Sequence, residues 1–244
     1  MRRLIALAAA LIAAFVLAPG PLAAIGSDGR YADHGRFTAA LRQAFTGYWQ
    51  TGDRGPDLDR MVDFWLRYHV VKGAVAALIL AVLVALGLRL ARSFLGGRHR
   101  VAGAAGLAGV TALGLLALVT VAANIQGAVA PLSSLLPMVI EPGPLAGAPR
   151  PAVLSTLVTD FGRYHEAMAV IAALAAILLI CAGIALWRRF ARTTASERPA
   201  RWLLGALGTV AAFTALAVLA VAVANLTTAA DPAPALQAFF NGSW

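Results

Sequence analysis

Four stretches of this sequence, 70–90, 101–123, 167–187 and 202–224, consist almost wholly of Ala, Leu, Val, Ile and Gly. Each exceeds the ~18 residues a helix needs to cross ~30 Å of hydrocarbon. In hydrocarbon every backbone N–H and C=O must find its partner within the segment, so such a run folds as a helix. The linkers 91–100 and 188–201 are short, which makes the helices they join antiparallel neighbours. The fold class that follows is an all-α membrane protein, with four transmembrane helices arranged as two tandem helical hairpins. Composition agrees: 60% of residues are hydrophobic and 13% charged, and mean hydropathy is +0.78.

The two hairpins read as copies of one unit. Arg67-Tyr68-His69 returns as Arg163-Tyr164-His165, each after an Asp-Phe pair, Asp63-Phe64 and Asp160-Phe161. Asn124 is followed by Pro131 as Asn225 is by Pro232. Both units face the same way, which predicts a parallel internal repeat about a pseudo-twofold axis along the membrane normal. A further echo joins the ends: Ala40-Leu41, Phe45, Gly47 and Trp49 match Ala235-Leu236, Phe240, Gly242 and Trp244. It predicts that the C-terminal tail packs beside the first polar-segment helix.

Residues 1–26 have Arg2-Arg3, an apolar core and small residues at Ala24 and Gly26. That is the pattern of a secretory signal peptide, with a signal anchor helix as the alternative. Residues 27–66 are predicted as extracytoplasmic amphipathic helices, since Phe37, Leu41, Phe45, Tyr48 and Trp49 recur at helical spacing. Hairpin 1 spans 67–124 and hairpin 2 spans 163–225. Between them, 125–162 is an extracytoplasmic loop whose apolar part, 132–140, is expected to lie along the interface. The extracytoplasmic tail is 226–244. Gly103, Gly106 and Gly109 offer a small-residue face for close helix packing.

Charge sets the expected orientation. The N-terminus and the two short linkers, counted with Arg89 at the end of the first apolar stretch, hold eleven of the 20 Lys+Arg and one acid, Glu197. The remaining segments hold nine basic and ten acidic residues. The basic linkers are therefore read as cytoplasmic and both mature termini as extracytoplasmic, in a multi-pass protein of the cell membrane. The net charge of +9 is thus a matter of topology, and no nucleic-acid partner is expected.

The candidate site is the pair of triplets with their asparagines: Arg67, Tyr68, His69 and Asn124; Arg163, Tyr164, His165 and Asn225. Symmetry places both histidines at equal depth at the outer face, each near the Asn ending the next span. A plainer reading is structural. The tyrosines fit an aromatic belt, the arginines and Lys72 snorkel to headgroups, Asp63 and Asp160 form helical ion pairs with Arg67 and Arg163, and the asparagines cap helix ends. Two imidazoles could hold a metal or haem, but a zinc site wants three or four ligands. No His-x3-His or second cysteine accompanies them, so no metal and no cofactor are assigned. His34, in the outer N-terminal segment, lacks a partner, His99 reads as a solvated residue among the basic residues of the inner turn, and Cys181, in the third apolar run, reads as a small hydrophobe.

Phosphate-binding, nucleophile-elbow and His-Glu-x2-His motifs are absent from the sequence. The spans contain no interior carboxylate of the kind coupled carriers use. The Arg-rich, almost Lys-free composition, the Ala/Leu/Val spans and the leader ending in Leu22-Ala23-Ala24 resemble uncharacterised polytopic membrane proteins of high-GC, actinobacterial-type genomes. That resemblance implies no activity. The expectation is a non-enzymatic integral membrane protein, an assembly or partner-binding subunit whose outer face carries the recognition surface. The aromatics Phe37, Phe45, Trp49, Phe240 and Trp244, read as exposed at the outer face, motivate it, by packing on each other or docking a partner membrane protein or second copy. The alternative is a small transporter or channel component with a site at the repeat interface. A haem- or quinone-linked membrane redox protein comes third.

Overall fold

A computed structural model describes residues 1–25, 31, 33–96, 100–140 and 149–242. These residues are helical, with no strand among them. In chain order they form α1 (Arg2–Leu17), α2 (Pro19–Ala23), α3 (His34–Thr51), α4 (Gly55–Leu95), α5 (Arg100–Val129), α6 (Pro131–Ile140), α7 (Pro151–Arg192), α8 (Arg198–Ala230) and α9 (Pro232–Phe240). Four of them, α4, α5, α7 and α8, are long and apolar enough to cross a membrane. The order long, long, short occurs twice, as α4-α5-α6 and α7-α8-α9.

The burial pattern is that of a protein in lipid. Along the apolar stretches of the long helices most buried positions are small, Ala76, Ala117, Ala169, Ala172, Ala176, Gly183, Gly208, Ala211, Ala215 and Ala222, with Leu83, Leu86, Phe94, Leu107 and Leu203 the large ones among them. Large apolar side chains point outwards, with Leu178 71%, Phe213 70% and Val119 64% exposed. Water would make that arrangement costly. In hydrocarbon there is no hydrophobic drive to bury Leu, and small residues let helix backbones approach and gain packing. The chain is built as an integral membrane protein.

Glycine faces set the close approaches. A Cβ on Gly103 would meet Phe94 and one on Gly106 would meet Leu90, whereas Gly109 has nothing within 4 Å. Two of the three glycines singled out in the sequence therefore face α4. The second hairpin uses Gly205 against Phe190 and Gly208 against Trp187, where a Cβ would come within 2.9 Å of the indole Nε1. Each hairpin packs along its length. Between hairpins, α5 lies against α7, while α8 touches α4 only slightly. Trp202 and Phe94 meet near the Arg-rich turns, ring centroids 6.1 Å apart. A closed pseudo-twofold would make those two contacts equal, and they are not.

At the opposite end the short helices form a cap over the long ones. Its core contains Phe37, Leu41, Phe45, Leu58, Leu135, Leu136, Val139, Val153, Leu157 and Leu236, all at or below 1% exposure. Each such side chain contributes about 1.5–3 kcal/mol by leaving water. α3 starts on the Asp33 carboxylate, which accepts from the Arg36 N–H at 2.8 Å. It ends at Gly52, whose φ of 84° suits a residue without a Cβ. Arg150 then covers the exposed carbonyls of that end: its N–H donates to Trp49 O at 3.4 Å and its Nε to Gln50 O at 3.0 Å.

Two expectations need correction. The 132–140 stretch does not lie along an interface: Leu132, Ser133, Leu135, Leu136 and Val139 of α6 are buried between α3, α4 and α7. Phe37, Phe45 and Trp49 are not an exposed surface, at 1%, 0% and 6% exposure. They pack into the cap, and Trp49 meets Phe240 with ring centroids 5.3 Å apart. Aromatic area this large is worth more inside a water-facing core than on its surface. Trp244, His99 and the loop 141–148 lie outside the described residues.

Candidate functional site

The structure pairs each histidine of the repeated triplets with the asparagine of the following helix. His69 Nδ1 is 3.0 Å from Asn124 Oδ1, and His165 Nδ1 is 2.7 Å from Asn225 Oδ1. The helices produce this geometry directly. α4 and α5 run antiparallel, so a residue early in one faces a residue late in the other, and the same holds for α7 and α8. Each asparagine is fixed from behind, because its Nδ2 donates to the carbonyl four residues earlier, Thr120 O at 2.8 Å and Val221 O at 2.9 Å. The amide oxygen is thereby left facing the imidazole, so Nδ1 carries the proton and donates it.

The asparagines are not helix caps. α5 continues to Val129 and α8 to Ala230, a turn or more beyond them, so their side chains serve the partner helix instead. Neither expected ion pair forms. Arg67 donates from Nε to the Asp63 carbonyl at 3.3 Å and from Nη1 to the Ile25 carbonyl at 2.9 Å. Asp160 accepts from Ser133 N at 2.7 Å and Ser133 Oγ at 2.8 Å. A carboxylate there meets the unsatisfied N–H groups and positive end of α6, a closer demand than an exposed arginine makes. Arg163 is exposed and borders a polar cleft of about 330 Å³ with Arg54, Ser155, Thr156 and Thr159.

The surroundings of the two pairs differ. The His69 ring lies flush on Gly127, so that a Cβ there would fall 2.6 Å from its Nε2 and Cε1. Trp65 stands edge-on to the same ring at 4.9 Å. His69 Nε2 is buried without a hydrogen-bond partner. His165 instead packs on Phe161 at 4.6 Å and Tyr164 at 5.5 Å. Tyr68 stacks on Trp65 at 4.9 Å and accepts from Lys72 Nζ at 3.2 Å. Tyr164 contributes its main-chain carbonyl, which accepts from Gln126 Nε2 at 3.1 Å across the α5–α7 seam.

Trp65, Gln126, Gly127 and Ser134 belong to this end and were not picked out from the sequence. Trp65 Nε1 donates to Ser134 Oγ at 2.8 Å, locking α4 to α6. Gln126 had a visible signal, a second amide two residues after Asn124 just beyond an uncharged run. Gly127 had none, since glycine is common throughout the chain. Among the described residues no group of three His, Cys, Asp or Glu side chains comes together as a metal would require. Two further cavities lie in the cap: an apolar one of about 620 Å³ bounded by Trp49, Leu154, Val158, Leu236 and Phe240, with Asp231 and Gln237 as its polar groups, and a more polar one of about 670 Å³ between α3 and the start of α4, bordered by Tyr31, Arg36, Gln43, Asp53 and Asp57.

Comparison with protein-family models, curated proteins and solved structures finds no match to this chain.

Proposed function

We propose that the chain is a non-enzymatic membrane subunit that assembles with a partner membrane protein through the cap, on the extracytoplasmic side. One observation carries this reading. Both histidines of the repeated triplets are committed to holding helices together, each Nδ1 to the asparagine of the next helix, while Arg67 bonds to main-chain carbonyls, Tyr68 to Lys72 and the neighbouring Asp160 to α6. Of the cavities at that end, the most apolar lies between α3, α7 and α9, beside the exposed Leu154. Apolar side chains of a partner, oriented by Asp231 and Gln237, fit that description. The aromatics first read as a recognition surface support the cap from within. The two hairpins read as a duplicated unit in which the His–Asn bond is the shared structural element, and the basic turns as cytoplasmic.

The test is proximity labelling in cells with a photo-reactive amino acid at Leu154, and again at Leu178 on the lipid-facing side of α7. A discrete adduct at Leu154 only, lost in Gln237→Arg, is the expected result. If the detergent-solubilised protein purifies alone and gives no adduct from Leu154, the proposal fails. One observation favours the alternative of a transporter component: Gln126 and the unpartnered Nε2 of His69 lie near the junction of the hairpins. Replacing His69 and His165 together would then abolish flux while sparing expression.

A further inference from the structure

The N-terminal helix carries the composition of a removable leader, yet it is bound into the protein on three counts. The first is Lys72, the chain's one lysine. Its ammonium lies 5.1 Å from the centroid of Phe15 in α1 and 5.1 Å from that of Tyr68, whose hydroxyl it also meets. Lys72 lies three residues beyond His69 in an apolar run. There an ammonium is costly unless rings or hydrogen bonds replace its water. Losing α1 would take away one of its two aromatic faces.

The second is Arg67, whose Nη1 donates to the main-chain carbonyl of Ile25 at 2.9 Å, which pins the chain against α4 just after α2, inside the cleavage region. The third is the cleavage region itself. Ala23 is 0% and Ala24 9% exposed, both within the cap's core, and Pro19 is fully buried. Residues 19–23 are helical, and Ala24 N–H closes that turn on Gly20 O at 3.0 Å. A peptidase reads an extended, accessible segment. Here the segment would have to leave a packed core and unwind first.

Register agrees with a bundle helix. Phe15 is level with Lys72 and Ile25 with Arg67, so α1 and α2 run antiparallel to α4. Arg2 lies 13 residues before Phe15. At ~1.5 Å per residue that carries it ~20 Å along α4, to within about a turn or so of Arg89. α1 alone is short for a full crossing. The paired arginines can reach the headgroups by extending their side chains, and the bilayer can thin locally.

We propose that α1 is not removed. It stays as a fifth bundle helix, clasped by Lys72 at Phe15 and followed by a turn that Arg67 pins at Ile25, with Arg2 and Arg3 at the Arg-rich end. The N-terminus then lies on the opposite side of the membrane from the C-terminal α9. This departs from the cleaved leader that composition alone favours.

The test uses the full chain with a C-terminal tag, expressed in a bacterium with its own signal peptidase. Intact-mass spectrometry of the membrane fraction should give a chain that begins at Met1. A chain beginning at Ile25 or Ser27 would overturn the proposal. Docking is read separately in the full chain with a photo-reactive amino acid in place of Phe15, irradiated in membranes and digested. An intramolecular adduct to the α4 peptide that contains Lys72 is expected. Adducts to lipid alone, or to no part of α4, would also overturn it.

Discussion

Replacing Gly127 by alanine should destabilise the protein, against the usual direction for a glycine inside a helix. Alanine in place of a helical glycine ordinarily stabilises by about 1 kcal/mol, because the unfolded chain loses less freedom. At Gly127 the added carbon would fall 2.6 Å from His69 Nε2 and Cε1 and 2.8 Å from Cδ2. An ordinary carbon contact is about 3.5–4 Å, so the ring would have to retreat by roughly 1 Å. It cannot move freely, since Trp65 stands behind it at 4.9 Å. Overpacking of this kind costs about 1–3 kcal/mol. Stretching Nδ1 away from Asn124 adds about 0.5–1.5 kcal/mol. After the gain in propensity, the net loss is about 0.5–3.5 kcal/mol.

The assay is denaturation in mixed micelles, followed by tryptophan fluorescence, with three comparisons. Gly109→Ala, where nothing lies within 4 Å, should be neutral or stabilising by up to about 1 kcal/mol. Gly127→Ala should fall on the opposite side of wild type. In a His69→Ala background the penalty of Gly127→Ala should vanish, because the clash partner is gone. If Gly127→Ala is as stable as Gly109→Ala, the seat of His69 on α5 is not what holds this end of the first hairpin.

Asn225→Leu removes the acceptor for His165 and should lower stability by about 0.5–3 kcal/mol, measured in the same micelles, with Asn124→Leu behaving alike. Asp160→Ala leaves Ser133 N–H and the start of α6 without their partner. It should cost about 1–2 kcal/mol and raise amide exchange first in α6, with Asp160→Asn in between. Trp65→Phe keeps the ring stack but drops the 2.8 Å bond to Ser134, costing about 1 kcal/mol by the same assay. For orientation, in a Cys181→Ser background, an impermeant maleimide should label Gln50→Cys in intact cells and leave Ser196→Cys untouched until the membrane is opened.

The parts of the fold written in single-residue chemistry were legible. Length and uninterrupted apolarity marked the four long helices, and the hairpin pairing followed from linkers too short for anything else. The repeated histidine and asparagine were visible as sequence matches, and antiparallel geometry brings them together. Illegible were the features decided by competition between neighbours. Asp160 had an arginine three residues away and took Ser133 instead. The aromatics of α3 had helical spacing, which states that one face is apolar and not what covers it. α6 was apolar enough for a bilayer and went into the cap because three helices leave a groove there. Gly127 matters only through the ring across from it, and no property of glycine in the sequence points to that.

The differences between the two hairpins are more informative than their likeness. Both keep the histidine–asparagine bond, so that bond is what antiparallel helices of this design need at this end. The first hairpin has Lys72 three residues after its histidine where the second has Met168, and Gln126 and Gly127 after its asparagine where the second has Thr227 and Thr228. Each of the three reaches outside its own clamp or seats it: Lys72 to α1, Gln126 to α7, Gly127 under His69. The second hairpin has no such links at those positions; Thr227 and Thr228 bond back to Ala224 in their own helix. The first hairpin is therefore the hub, with α1 on one side and α7 on the other. Loosening it should disturb the whole bundle, whereas loosening His165 and Asn225 should release mainly α8 and α9. Hydrogen exchange compared between Asn124→Leu and Asn225→Leu reads this difference directly. Equal spread of exchange from both sites would mean that the hairpins contribute alike and that the added links of the first carry no coupling.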